Sequence, residues 1–378
     1  ILSRLDQLIK DFNRQAKETI VARGIKRITT NKIPFSSPRV NYMLYGGLPR
    51  GRLIEFAGEE GGGKTTTALD IVANAQKLFQ KEWESEISHL EELESPKKVD
   101  KDKLEYLQAR GPKQIVYADC ENTLDEEWAL KIGVDLDNVV IIRPMSQTAE
   151  QIFEMLLQMI ETDQVGLVVI DSLAVMLSQQ AYEKDMTERT YGGISMALTL
   201  FSKKAEMLCA KHDCTIIGIN QLRENMNSPY GGTTTPGGRA WRHACSVRLE
   251  FRKGNFIDDK GNELRRSAET PAGNLVQVHM SKTKVCKPDR RTGFYTLNYD
   301  YGIDTVTDLV DTAILYGLIR QAGAWFTFVD GDTGEIIITE EEKPLQIQGR
   351  ANVIDYLKLN KTFWDKLGEW VQREIMGA

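Results

Sequence analysis

Ten residues, GEEGGGKTTT from Gly58 to Thr67, constrain this 378-residue chain more than any other stretch. The apolar run RLIEFA leads into them and the helix-like run ALDIVANAQKLF leads out. Gly58, Gly63, Lys64 and Thr65 match the spacing G-x-x-x-x-G-K-[ST], and a strand before with a helix after is the setting this pattern requires. Glycines let backbone N–H groups turn inward around phosphates without Cβ clashes. The following helix N-terminus adds partial positive charge. Lys64 is then placed to reach the β- and γ-phosphates, and the Thr65 hydroxyl to coordinate Mg²⁺. The candidate nucleotide contacts are Gly58, Glu59, Glu60, Gly61, Gly62, Gly63, Lys64, Thr65 and Thr66, with ATP and Mg²⁺ as ligands. A plain glycine-rich strand–helix turn is the alternative, and the flanking elements favour the nucleotide.

Short apolar runs rich in β-branched residues recur from Leu53 to Leu297: RLIEFAG, QIVYADC, NVVIIR, GLVVID and CTIIGIN. Helix-length segments separate several of them, so the fold class is α/β with a mostly parallel sheet covered on both faces. Asp171 ends one such strand, at the carboxyl edge where open α/β sheets bind ligands, and is expected to hold Mg²⁺ through water. A turn-capping role is its alternative. In YADCENTLD, Glu121 follows a strand closely enough to act on the γ-phosphate, whereas Asp125 suits a helix N-cap.

Hydrophobic content of 41% and charged content of 27% are ordinary for a globular chain. No apolar run is long enough for a membrane span, and the amphipathic N-terminus is unlike a signal peptide. Five cysteines without a C-x-x-C pair suggest free thiols in the cytoplasm. The net charge of −6 argues against indiscriminate nucleic-acid binding, but the segments Arg223–Arg252 and Lys282–Arg291 are locally basic. Three parts are expected. Residues 1–32 hold a helix, with Leu5, Leu8, Ile9 and Phe12 on one side, and a linker; the stretch TTNKIPFSSPRV, with Pro34 and Pro38 and no helical period, reads as linker. Residues 33–300 form the core, from which the charged segment 80–113 projects as a helical extension or hairpin. A solvated insertion without a specific role is the simpler reading of that segment. Residues 301–378 form a small α/β domain with a hairpin around Asp330–Thr333.

Several stretches, taken in order, resemble the bacterial RecA recombinases: PFSSPRVNYMLYGGLPRGRLIEFAGEEGGGKTT, YADCENTLD, VVIDSLA, IGINQLRENMNSPYGGTTTPGGRAWRHACSVRLEF, SKTK and AGAWFTF. The loop motif alone is unspecific, but the ordered set is highly specific and spans about Ile33 to Met376. The resemblance implies a RecA-like core and roles position by position. Glu121 matches the catalytic glutamate, and Gln221 the glutamine that senses the γ-phosphate and relays its state to a DNA loop. Trp128 matches an aromatic that packs on adenine, with core packing as its alternative. Within the second DNA loop, Leu222–His243, the resemblance implies DNA contacts from Arg223, Met226, Thr233, Thr234, Thr235, Gly237, Gly238 and Arg242. Met226 matches an apolar wedge between bases, and the glycines (Gly231 and Gly232 among them) and threonines offer donors to phosphate. Ala181–Gly193 resembles the first DNA loop, ending at Gly193, and Lys204 matches a phosphate contact. Arg252 and Lys253 lie where the family has a second, weaker DNA site; exposed strand-end charges explain them equally well. Lys282 and Lys284 match lysines that reach ATP on a neighbouring subunit, and His243 matches an aromatic interface position.

The implied protein is an ATP-dependent recombinase. It forms helical filaments on single-stranded DNA through the helix Leu2–Ile20, samples duplex DNA and exchanges strands. Single-strand-binding and loader proteins are implied partners. A hexameric helicase or ring ATPase on the same core is the alternative. Two departures, the charged insertion and a chain end GEWVQREIMGA without an acidic tail, point to a divergent and phage-encoded member that takes up duplex more readily.

Overall fold

The structure, a computed structural model, describes residues 4–16, 31–184, 193–224, 233–258, 263–265 and 267–377. It divides into two units, 1–31 and 32–378. The first contributes one helix, Arg4–Ala16, within the expected Leu2–Ile20; the remaining residues of that span lie outside those described.

The second unit is built on a ten-stranded sheet. Six strands run parallel in the order Val139–Ile142, Gln114–Asp119, Val165–Asp171, Thr215–Gln221, Leu53–Gly58 and Val247–Ile257. Antiparallel strands Gly273–Thr283, Thr292–Asn298 and Gly302–Ile303 extend it. Every residue of Leu53–Gly58 and of Val165–Asp171 is buried, which is why these strands read as mostly apolar runs rather than alternating ones. Helices Ala149–Glu161 and Ile194–His212 cover one face, where Phe153 and Phe201 stack at 4.3 Å. The helix Lys64–Glu91 covers the other with Leu69, Val72 and Phe79. The expected α/β class, with a mostly parallel sheet, is the fold observed.

The stretch read as a linker is not one. Lys32–Ile33 pairs with Leu48–Pro49, and Ile33 and Phe35 are core residues. Pro38 opens the helix Pro38–Met43 under an N-cap from the Ser37 side chain. Proline at a helix start loses no hydrogen bond, so the residue taken as a breaker is an initiator.

The charged segment forms the expected hairpin. The helix after the phosphate loop runs 28 residues to Glu91, and Lys98–Arg110 packs back on it. Trp83 Nε1 donates to the Leu107 carbonyl at 2.8 Å. The base of the hairpin is tied to the core. The buried Arg50 guanidinium bridges Glu82 at 2.7 Å and Asp213 at 2.6 Å, and Tyr106 donates to Asp163 at 2.8 Å.

Beyond Ile303, helix Thr305–Leu315, a three-stranded antiparallel sheet and helices Arg350–Leu359 and Lys361–Met376 enclose their own core around Phe328, Leu357 and Trp370. The expected turn exists, closed by Asp330 N–H on the Glu335 carbonyl at 2.8 Å. The regular hairpin, however, turns earlier, between Ile319–Ala322 and Trp325–Phe328.

Asp308 is buried on the first of these helices, and neither carboxylate oxygen has a hydrogen-bond partner among the described residues. Burial drives its pKa up to about 8, against smaller opposing pulls from Ser37 and Arg39. An acid with a raised folded pKa holds more protons folded than unfolded between its ordinary 3.8 and about 8. It therefore costs stability increasingly as pH rises through that window. Asp308→Asn, neutral throughout, is expected to stabilise the protein by about 1–3 kcal/mol at pH 8. Thermal melts should show little gain at pH 4; an equal gain at both would contradict the burial argument.

Candidate nucleotide-binding site

The phosphate loop bridges the central strand Leu53–Gly58 and the helix Lys64–Glu91. Gly63 has φ +90°, and a Cβ there would meet the Tyr295 hydroxyl at 2.9 Å. At Gly58 a Cβ would meet the Phe251 carbonyl at 2.5 Å, so the neighbouring strand itself excludes a side chain. Glu59, Glu60 and Gly61 are exposed on the loop's outer rim. The Lys64 ammonium is turned into the loop and donates to the carbonyls of Gly58 at 3.1 Å and Glu59 at 2.6 Å. Burial lowers its pKa, opposed by the carboxylates of Asp171, Glu121, Glu60 and Glu59.

Thr65 donates its hydroxyl to Asp171 Oδ2 at 2.9 Å, which joins the two expected magnesium ligands across the sheet. Desolvation raises the Asp171 pKa, and hydrogen bonds from Tyr117 and Thr65 oppose it. Glu121 Oε1 accepts from Ser172 Oγ at 2.5 Å and lies 3.5 Å from the Gln221 Nε2. The three acids of YADCENTLD divide their work. Asp119 is buried and accepts from the Thr123 and Leu124 N–H groups, and Asp125 caps a helix by accepting from Trp128 N–H. Glu121 is thus left facing the loop's lysine and glutamine. Trp128 Nε1 donates to Thr66 Oγ1 at 3.2 Å while the ring packs partly on the core. Trp128 lines a cavity of about 390 Å³ with Gly61–Thr66, Asn274 and Tyr299.

Lys253 lines the same cavity, its ammonium 4.5 Å from the Phe256 ring centre. Arg252 and Lys253 are exposed in the middle of the strand Val247–Ile257, not at its end as expected. The antiparallel extension of the sheet prolongs that strand past the nucleotide edge.

The strand Thr215–Gln221 is followed, after Leu222, by a pair of two-residue strands, Arg223–Glu224 against Thr233–Thr234. Arg223 is exposed there. Met226, Gly231 and Gly232 lie outside the described residues. Thr235 and Gly237 are buried, and a Cβ on Gly237 would meet Leu198 at 2.4 Å. These two are packed within the protein rather than lying on an open surface. Gly238 opens the short helix Gly238–Ala244, which carries the partly buried Arg242 and the exposed His243. Lys282 closes that helix by donating to the carbonyls of Arg242 at 2.6 Å and His243 at 2.9 Å. Burial and the neighbouring Lys284 lower its pKa. Arg242, His243, Lys282 and the exposed Lys284 therefore share one region. Gly193 caps the helix Ile194–His212, and Lys204 on it lies 3.5 Å from Glu154, an exposed pair worth little.

Sequence reading missed Asn220, Glu55 and Arg248. Asn220 donates to Glu55 at 3.0 Å and to the Pro236 carbonyl at 2.9 Å, and the fully buried Glu55 also pairs with Arg248. A signal was available: Glu55 is the one charge inside the apolar strand LIEFAG, and buried charges are paired.

A family model described as the RecA N-terminal domain matches residues 3–83 and 100–304. Protein RecA of Ruminococcus albus is 31% identical over 305 residues, covering 80% of this chain and 66% of that protein. Protein RecA of Streptomyces ambofaciens is 31% identical over 373 residues, 98% of this chain and 84% of its own length. Protein RecA of Chloroherpeton thalassium is 29% identical over 333 residues, 88% and 77% respectively. The gap in the family match, residues 84–99, is the tip of the helical hairpin.

Proposed function

The chain belongs to the RecA family, and on that premise we propose that it is a DNA-dependent ATPase that assembles on single-stranded DNA and exchanges strands in recombination and repair. The observation that carries this reading is the contact chain from Glu121 to the DNA-loop stem. Glu121 faces the Gln221 amide, Gln221 follows Asn220 on one strand, and Asn220 holds Pro236. The Gln221 main-chain N–H donates to Asn220 Oδ1 at 3.1 Å, and in this reading the series links hydrolysis at one end to the segment 222–243 at the other.

The residues fit a magnesium nucleotide. Close approaches at Gly58 and Gly63 admit no side chain, so phosphate can come near the loop backbone, and Lys64 supplies a partly desolvated charge. Thr65 and Asp171 would hold Mg²⁺, which when bound neutralises phosphate charge. Glu121 would orient and deprotonate the attacking water. Lys282 and Lys284, with His243 beside them, would complete the site of a neighbouring subunit, so that a single chain hydrolyses ATP poorly. Arg223, Thr234, Lys204 and Gly193 would contact DNA backbone, with Arg252 as a further phosphate contact. In this reading the protein works in the cytoplasm; no described helix is long and apolar enough to cross a membrane.

Electron microscopy of the protein with ATP and single-stranded DNA tests the assembly. Open helical filaments are expected, because a heterologous contact that does not close propagates. Closed rings would transfer the chain to the ring-ATPase alternative.

A further inference from the structure

We propose that Tyr117 is a positioning residue for the magnesium site, its hydroxyl fixing the carboxylate of Asp171. The proposal rests on the nucleotide-site reading given above. Tyr117 lies within the strand Gln114–Asp119 and is 2% exposed. A buried phenol must find a polar partner or carry the cost of losing water. The partner here is Asp171 Oδ2, at 2.8 Å. The Thr65 hydroxyl reaches the same oxygen at 2.9 Å.

The two strands are locked together at this point. Asp119 and Asp171 are register partners, and the amides of Cys120 and Glu121 donate to the Asp171 carbonyl at 2.6 and 3.1 Å. The main chain of Asp171 is thus held by the segment after Tyr117, and its side chain by Tyr117 itself. Without the phenol, the carboxylate would keep the Thr65 hydroxyl as its side-chain donor. Thr65, in turn, has to offer its lone pairs to the metal. Two hydroxyls meeting at one oxygen select a single orientation of the carboxylate and leave its remaining lone pairs for a metal-bound water. Loss of a group that orients a metal ligand in this way typically costs about 10–100-fold in metal affinity.

Tyr117→Phe keeps the ring and removes one oxygen. Binding of a fluorescent ATP analogue to the full chain, titrated with Mg²⁺, reads the effect without hydrolysis. Affinity in the absence of Mg²⁺ should equal that of the parent. The Mg²⁺ concentration for half-maximal enhancement should rise about tenfold. Superimposable Mg²⁺ curves overturn the proposal. So does weaker binding at every Mg²⁺ concentration, which would make Tyr117 a general support of the loop. A parent whose nucleotide binding ignores Mg²⁺ overturns the metal site as a whole, and that failure is seen before any substitution is made.

Discussion

Lys64→Ala is expected to weaken ATP binding by about two to three orders of magnitude, the cost of removing one partner from a desolvated charge contact. The ammonium is held within the loop by the Gly58 and Glu59 carbonyls and is surrounded by four carboxylates. Alanine restores none of its charge. The fold should survive, because Lys64 begins a helix and alanine is a good helix former. Calorimetric titration with ATP checks this directly. Binding as tight as in the parent would remove the loop from the phosphate site.

Glu121→Gln should separate binding from hydrolysis. Glutamine keeps an oxygen to accept from Ser172 Oγ, now at 2.5 Å, and leaves the neighbouring Gln221 in reach. It cannot accept a proton from water. Turnover is expected to fall about 10²–10⁴-fold, the usual contribution of a positioned general base, while ATP affinity and assembly on DNA persist. Undiminished turnover would move the catalytic role to another group. Asp119 is a poor substitute, since both of its oxygens are committed to the Thr123 and Leu124 amides.

The parts of this structure that were legible in the sequence are those whose signals are local. The phosphate loop declares itself within ten residues, and the buried parallel strands declare themselves as β-branched runs between turns. Asp171 was legible because it ends such a run, and Glu121 because it follows one closely. What was not legible depends on partners far along the chain. Tyr117 reads as one more apolar strand residue until its hydroxyl meets Asp171, 54 positions on. Arg50 in LPRGR looks like a solvated loop charge, yet it is buried between Glu82 and Asp213. Thr235 and Gly237 share the residue types of the half-buried Thr234 and Gly238 and differ from them only in packing. Pro38 shows the same limit in reverse: a breaker by composition, it starts a helix because Ser37 precedes it and caps the turn.

The contacts from Glu121 to Gln221 and from Asn220 to Pro236, with the coupling proposed for them, predict that DNA and hydrolysis communicate. The direct measurement is the steady-state ATP hydrolysis rate of the full chain without DNA, with single-stranded DNA and with duplex DNA at fixed salt. Strong stimulation by single strands, exceeding that by duplex, is the expected result. A rate indifferent to DNA would contradict the link between the phosphate loop and DNA pairing.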